Sequence, residues 1–239
     1  MPPSSSHADG SPVLSRRRFL QFGGVAVTAG ALAACDSDDP GVEFNDEAVV
    51  FDFANDFGAL NFALAIAQAQ GALYTTTTQT PYVGVQDDEQ ALLSAILAHE
   101  NDHRRFLREA VESAGQDAIP ALRVDFRTVD FTSRASVLAT AQQLEDLSVA
   151  AYNAAALQVS DPDWLTILGK IVSVEARHAT AIRSLISAET PFTIGAEVDP
   201  ATEAIDPATG LERTRSLAEV LDLAAAFFTA PLQAVNLPS

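Results

Sequence analysis

The chain has 239 residues, and its 48% hydrophobic content is enough for a sizeable core, which excludes a disordered protein. Acidic residues outnumber basic ones by 32 to 14, for a formal net charge of -18. Free nucleic acid is therefore excluded as an expected partner, because binding to phosphates needs a basic surface. The single cysteine excludes an intramolecular disulfide framework and any CxxC redox or zinc motif.

Residues 1–35 have the layout of an export signal, with a basic region, a short apolar region and small residues before a cysteine. The apolar run Phe22–Ala34 is too short to span a bilayer as a helix. Arg16 and Arg17, in the order Ser-Arg-Arg-x-Phe-Leu, resemble the twin-arginine signal of proteins that are exported already folded. The expected partner during export is the twin-arginine translocation machinery.

The cysteine at the end of this signal predicts a lipid anchor. Leu-Ala-Ala-Cys, ending at Cys35, resembles a lipobox, in which the cysteine is lipidated and becomes the mature N-terminus. A lone cysteine elsewhere would more simply be a small buried hydrophobic residue. We expect the mature chain to be anchored to the outer face of the cytoplasmic membrane, with residues 36–51 as an acidic tether.

From residue 52 onward the hydrophobic periodicity is helical, and it predicts an all-α fold built on a four-helix bundle over residues 52–190. Local signals mark the helix starts: Asp87 as an N-cap, Ser133, and Asp161 followed by proline. The four helices are expected near 54–76, 88–114, 133–159 and from 161 to about 185.

Two further segments complete the predicted organisation. Residues 115–132 are long enough to run back along the bundle as a crossover between the second and third helices. Residues 191–239 read as an extended C-terminal arm, rich in proline at first. Ser216 and Glu219 then form a capping box that opens a short helix ending near 228. We expect this helix to pack on the bundle or on another subunit, and a homo-oligomer is possible.

The two halves of the bundle repeat one another. Glu100-x-x-His103 in the second helix recurs as Glu175-x-x-His178 in the fourth, an offset of 75 residues. Glu145 and Tyr152 in the third helix are seven residues apart. Ala67 and Tyr74 in the first helix have the same separation at an offset of 78, so Ala67 is expected to stand where a glutamate would complete the symmetry.

These residues suggest a metal site. A glutamate and a histidine three residues apart lie on one helix face, so both can reach one ion. The carboxylates fall within the apolar stripe, where an unpaired charge is costly, and a divalent cation such as iron, manganese or zinc would neutralise them. The predicted ligands are Glu100, His103, Glu145, Glu175 and His178.

Other interpretations of these residues stay open. The interior glutamates could instead form salt bridges with arginines, leaving no metal. His99 lies one step off the apolar stripe and is expected to be a surface or packing histidine. Tyr74 and Tyr152 are expected to be core residues whose hydroxyls bond the carboxylates. The arginines in question are Arg104, Arg105, Arg108, Arg177 and Arg183.

Three motifs, in residues 60–64, 145–152 and 174–178, resemble the ferritin-like domain of the desiccation-related proteins. The resemblance covers about residues 50–190. It implies a ferritin-like bundle with two metals, bridged by Glu100 and Glu175 and completed at the second position by Glu145. One histidine, His103 or His178, would bind each metal.

The chain departs from this family pattern in its first helix. Ala67 stands where the pattern has a glutamate, and Gln70, one turn on, also replaces a glutamate of relatives. Gln70 is therefore expected to be a weak ligand or to lie behind the ligands with Tyr74 and Tyr152. We expect one or two ions of iron or manganese.

Two functions follow from the sequence. The first is an exported metalloprotein that carries out metal-centred oxidation or peroxide removal, in an oxidative-stress or desiccation-related role. The second is a non-catalytic structural or stress lipoprotein that has kept the bundle with a degenerate metal site. Whether the chain is an enzyme stays open at this point.

Overall fold

Four long helices form the bundle, and a fifth, short helix follows them. The computed structural model describes residues 44–45, 47–187 and 215–237. The helices are α1 (Asp56–Gln79), α2 (Asp87–Ser113), α3 (Arg134–Ala156), α4 (Pro162–Ile186) and α5 (Leu217–Ala225). Helix α1 packs against both α2 and α3, and α3 packs against α4, so α1 and α3 supply most of the core. The predicted all-α four-helix bundle is confirmed.

The helix starts follow local capping chemistry with one exception. Ser133, Asp161 and Ser216 are N-caps whose side chains accept hydrogen bonds from backbone N–H groups, as predicted. The prediction that Asp87 caps α2 is wrong. Gln86 occupies the N-cap position without a side-chain cap, and Asp87 is the first helical residue, where its charge favours the helix dipole.

The connection between α2 and α3 is fastened to α1 by two amide side chains. The Asn61 side chain accepts from the N–H of Ile119 at 2.9 Å. Gln68 accepts from the N–H of Leu122 at 2.7 Å and donates to the carbonyl of Pro120 at 3.1 Å. These bonds satisfy backbone groups that the crossover would otherwise bury without partners. The predicted long crossover is confirmed, and it covers the face of α1.

Four short strands tie the ends of the described chain to the bundle, in two parallel pairs. Val49 and Phe51 are buried, although the tether predicted over 36–51 would have left them in solvent. The predicted tether therefore does not include residues 49–51, because they belong to a strand. The strands are β1 (Phe44–Asn45), β2 (Val49–Asp52), β3 (Ala121–Leu122) and β4 (Leu232–Val235), pairing β1 with β3 and β2 with β4.

Helix α5 packs on α3 through a small apolar face that includes Leu217, Val220 and Ala224. Within the described residues, no helix combines the length and apolar character needed to cross a bilayer. The predicted export signal, with Arg16, Arg17 and Cys35, lies outside the described residues, and so does the first part of the C-terminal arm.

Candidate metal centre

Three glutamates from three different helices meet in the centre of the bundle. Glu100 of α2, Glu145 of α3 and Glu175 of α4 are each 0% exposed, and His178 of α4 is 5% exposed. One ligand atom from each of these four residues lies within 4.8 Å of the others. Ligand atoms around a single ion with bonds of about 2.1 Å lie up to about 4 Å apart, so the group needs little adjustment to hold one.

Both predicted histidines point their Nδ1 atoms into this group. His178 Nδ1 is 2.9 Å from Glu100 Oε1, 3.9 Å from Glu145 Oε2 and 4.0 Å from Glu175 Oε2. His103 Nδ1 is 2.8 Å from Glu175 Oε1 and 3.5 Å from Glu100 Oε2. The fold thus brings all five predicted ligands together. The Glu-x-x-His motifs of α2 and α4 face one another, and Glu145 lies beside them.

The hydrogen-bond pattern of the group fits a cation. Both carboxylate oxygens of Glu100, Oε1 of Glu175 and Nδ1 of His103 and of His178 are buried and make no well-aligned hydrogen bond among the described residues, because their close contacts are the histidine–glutamate contacts just given. A buried polar atom without a partner costs about 1–3 kcal/mol, and a charged one costs more. Carboxylate oxygens and imidazole nitrogens are also the donors that iron and manganese accept. The residues present therefore fit a divalent metal.

Glu145 differs from the other two glutamates because the chain satisfies both of its oxygens. The Tyr74 hydroxyl donates to Oε1 at 2.5 Å, and Gln70 Nε2 donates to Oε2 at 3.0 Å. Gln70 Nε2 also donates to Glu175 Oε2 at 2.8 Å, an oxygen that accepts a second bond from the Ser148 hydroxyl at 2.8 Å. Glu145 is thus oriented by α1, and its charge is stabilised by neutral donors.

The counterpart of Glu145 in α1 is Gln70, which bonds Glu145 and Glu175, and the prediction that gave this place to Ala67 is corrected. Gln70 and Glu145 are 75 residues apart, the offset of the two Glu-x-x-His motifs, whereas the tyrosines suggested 78. Tyr74 bonds a carboxylate as predicted. Tyr152 does not, because its buried hydroxyl has no hydrogen-bond partner among the described residues.

The electrostatics of the group favour positive charge. Burial, together with repulsion from Glu100 and Glu175, raises the pKa of Glu145 well above its ordinary value. Burial alone would lower the pKa of His103, but its contacts with Glu100 and Glu175 outweigh burial and raise it to about 10. Burial and the neighbouring Glu145 raise the pKa of Tyr74, so its hydroxyl keeps its proton. The carboxylates thus attract cations strongly.

His99 is exposed, which confirms the expected surface or packing histidine, but the sequence did not predict its contact with His178. Its Nδ1 lies 2.9 Å from Nε2 of His178, and the two rings are nearly parallel, at 10°. His178 directs Nδ1 at the glutamates, and His99 contacts its other ring nitrogen. This second contact fixes the orientation of the His178 ring. The available signal was spacing: His99 precedes His103 by four residues and so shares its side of α2.

The arginine alternative is weakened by where these side chains bind. Arg183 pairs with Asp146, and Arg105 pairs with Asp102 at 2.6 Å. Arg108 lies 3.7 Å from Glu112 and donates to the crossover backbone. Each of these three arginines thus pairs with a carboxylate other than the buried glutamates.

Comparison with known proteins gives the family. A search of the curated proteins found no match. The ferritin-like domain matches residues 55–188, a range that covers all four long helices and every residue of the centre described above. This match spans more than half of the chain, and it agrees with a bundle that presents glutamates and histidines from facing helices. The chain therefore belongs to the ferritin-like domain family.

Proposed function

We propose that this protein binds divalent iron or manganese in the core of its ferritin-like bundle. The observation that carries the proposal is the convergence of buried carboxylate oxygens and imidazole nitrogens, whose close contacts are with one another and lack well-aligned hydrogen bonds among the described residues. Three glutamates against two histidines make an oxygen-rich donor set, which suits iron and manganese better than ions that prefer sulfur ligands.

The chain's own residues prepare this centre in three ways. Glu100, Glu145 and Glu175 supply the negative charge that holds a cation. Tyr74 and Gln70 orient Glu145 by hydrogen bonds from α1. Complete burial of the three carboxylates keeps bulk water away from them. When bound, iron or manganese would supply redox chemistry, such as oxidation of a substrate or removal of peroxide.

The proposed place of action is the outer face of the cytoplasmic membrane. The support comes from the sequence, in which Arg16 and Arg17 resemble a twin-arginine signal and Cys35 ends a lipobox. A folded metalloprotein is a suitable cargo for a pathway that exports proteins already folded. An oxidative-stress or desiccation-related role is proposed on the resemblance to the desiccation-related proteins.

A second candidate function is a non-catalytic structural or stress lipoprotein with a degenerate metal site. The observation in its favour is Gln70, which places an amide where the internal symmetry calls for a carboxylate. In this case the bundle would be kept for stability or for contacts with partners, and metal would be dispensable for both.

Metal analysis of matched variants tests the first proposal. The purified full chain is loaded with Mn(II) without oxygen, freed of excess ion, and analysed for metal beside Glu100→Gln and Glu89→Gln. Glu89 is a suitable control because it is also buried, at 6% exposure, but pairs with Arg134 outside the centre. We expect wild type and Glu89→Gln to retain the metal and Glu100→Gln to lose it. Folded wild type without metal would reject the proposal in favour of the second candidate.

Cell fractionation tests the proposed location. The full chain is expressed with a C-terminal epitope in a host that has a twin-arginine pathway, beside Cys35→Ala and a double change of Arg16 and Arg17 to lysine. We expect wild type in the membrane fraction and open to external protease, Cys35→Ala released from the membrane, and the double variant retained inside. Retention of wild type in the cytoplasm would reject the export proposal and leave the metal proposal untouched.

A further inference from the structure

The centre has an internal symmetry with one mismatch. Residues 75 apart match in type at Glu100 and Glu175 and at His103 and His178, and Glu145 has Gln70 as its counterpart at the same offset. Gln70 is 0% exposed, and its amide lies within hydrogen-bond distance of two of the three carboxylates. The two ends of the centre therefore differ by one charge.

The Gln70 amide directs its N–H groups at the carboxylates. Nε2 is 2.8 Å from Glu175 Oε2 and 3.0 Å from Glu145 Oε2, so one nitrogen bridges the two side chains. A bridging donor of this kind stabilises adjacent carboxylates as a cation between them would, although with less charge. The amide oxygen, Oε1, is buried without a hydrogen-bond partner among the described residues.

The two possible ion positions are consequently unequal. The first has three carboxylates and one imidazole, from Glu100, Glu145, Glu175 and His178, within 4.8 Å of one another. The second, beside His103, shares Glu100 and Glu175 with the first and has no carboxylate from α1. A neutral amide oxygen is a weaker ligand for a hard cation than a carboxylate.

The charge balance of the buried group also favours one ion over two. The three carboxylates carry at most three negative charges, so one divalent ion leaves at most one of them unbalanced, and the donors from Gln70, Tyr74 and Ser148 can stabilise it. A second divalent ion would leave excess positive charge in a buried site, which is unfavourable without a further anion.

We propose that Gln70 limits this chain to one tightly bound divalent ion, held by Glu100, Glu145, Glu175 and His178. This inference rests on the proposed function, since it concerns the number of ions at the same centre. It assigns to Gln70 the role of a neutral amide at the position in α1 where a second ion would need a further carboxylate. His103 is then a contact of Glu175, 2.8 Å away, rather than a ligand of the tightly bound ion.

Chelator competition on the full chain tests this inference. Wild type, Gln70→Glu and Gln70→Ala are loaded with Mn(II), equilibrated with a chelator of intermediate affinity, and analysed for metal per chain. We expect about one ion in wild type and about two in Gln70→Glu, a twofold gain. Gln70→Ala removes the donor without adding a carboxylate and is expected to stay at about one.

The outcomes separate the inference from the function on which it rests. Two ions held by wild type against the chelator would overturn the role of Gln70 and leave metal binding intact, as would one ion in folded Gln70→Glu. No ion in folded wild type would reject the proposed function itself.

A histidine pair keeps the inference testable if Gln70→Glu does not fold. His178→Gln is expected to lose the tightly bound ion, whereas His103→Gln is expected still to saturate at one ion per chain. Equal loss of metal in both variants would overturn the inference, because it would mean that the tight ion needs both histidines.

Discussion

Two buried glutamates on the same helix have opposite surroundings. Glu89, in the first turn of α2, accepts hydrogen bonds from the Tyr82 hydroxyl and from Arg134 Nε, at 2.9 and 3.1 Å to its two oxygens. Glu100, three turns further on, is completely buried, and its oxygens make no well-aligned hydrogen bond among the described residues, although His178 Nδ1 lies 2.9 Å from Oε1. Its nearest neighbours include two further carboxylates.

The difference shows which buried carboxylates the chain neutralises with its own arginines and which it does not. Glu89 is neutralised by an arginine, and Asp146 is paired with Arg183 in the same way. Such pairs are structural, because both charges come from the chain. Glu100 instead has two histidines beside it, His178 at 2.9 Å and His103 at 3.5 Å, and a cation from outside would complete its surroundings.

The largest effect that follows from this contrast is stabilisation by metal. A ligand that binds only the folded state at 1,000 times its dissociation constant adds about 4 kcal/mol to the free energy of unfolding. For a domain of this size that corresponds to a rise in melting temperature on the order of 10 °C. We expect calorimetry with and without saturating Mn(II) to show this rise in wild type and in Glu89→Gln, but not in Glu100→Gln. Equal melting temperatures in wild type would contradict the contrast.

A smaller effect is expected at His99, which holds the far side of His178. His99→Ala removes that contact, and the loss of such a supporting group lowers metal affinity by about 10- to 100-fold. His99→Gln keeps a side-chain acceptor and is expected to recover part of the affinity. Isothermal titration with Mn(II) measures both, and unchanged affinity in His99→Ala would show that the histidine contact has no part in binding.

The same substitution at the two glutamates should have opposite signs when metal is removed. Glu89→Gln removes the carboxylate charge that pairs with Arg134, and we expect a loss of about 1 kcal/mol in the free energy of unfolding. The loss is small because Arg134 is 43% exposed. Glu100→Gln relieves the repulsion that raises the pKa of Glu145, and this relief is expected to exceed the loss of the histidine contacts of Glu100, for a net gain of about 1 kcal/mol. Urea unfolding in chelator measures both variants. Equal losses would mean that the centre is already balanced without metal.

The smallest expected effect concerns pH. Burial raises the pKa of Asp146 to about 6, against the partial offset of Arg183. Between pH 4 and 6 the folded state therefore holds more protons than the unfolded state, and the contribution of Asp146 to the free energy of unfolding falls as pH rises. Asp146→Asn should remove this slope in the metal-saturated protein. The control is Asp125→Asn, since Arg127 lowers the pKa of that exposed carboxyl to about 2, below this range. An unchanged slope in Asp146→Asn would contradict the assignment.

Features that depend on neighbouring residues could be predicted from the sequence. Ser133 and Asp161 mark helix starts because a capping side chain bonds backbone groups two or three residues away. The Glu-x-x-His motifs were found because charged residues stand out in an apolar stripe. Each of these signals lies within a few residues of the structure that it predicts.

The features that the sequence did not predict depend on distant parts of the chain. Strand β2 precedes the bundle and pairs with β4 near the end of the chain, and no local sequence pattern predicts that pairing. The contact of His99 with His178 depends on how α2 faces α4. The counterpart of Glu145 in α1 was predicted one turn too early, at Ala67. The tyrosine pair suggested an offset of 78 residues, whereas the carboxylate contact of Gln70 follows an offset of 75.

The most direct test of the metal centre is anomalous X-ray diffraction from crystals of the full chain loaded with Mn(II), measured above and below the manganese absorption edge. We expect one dominant anomalous peak inside the bundle, among Glu100, Glu145, Glu175 and His178. A well-ordered bundle with no peak there, or with its strongest peak at a surface carboxylate, would contradict it.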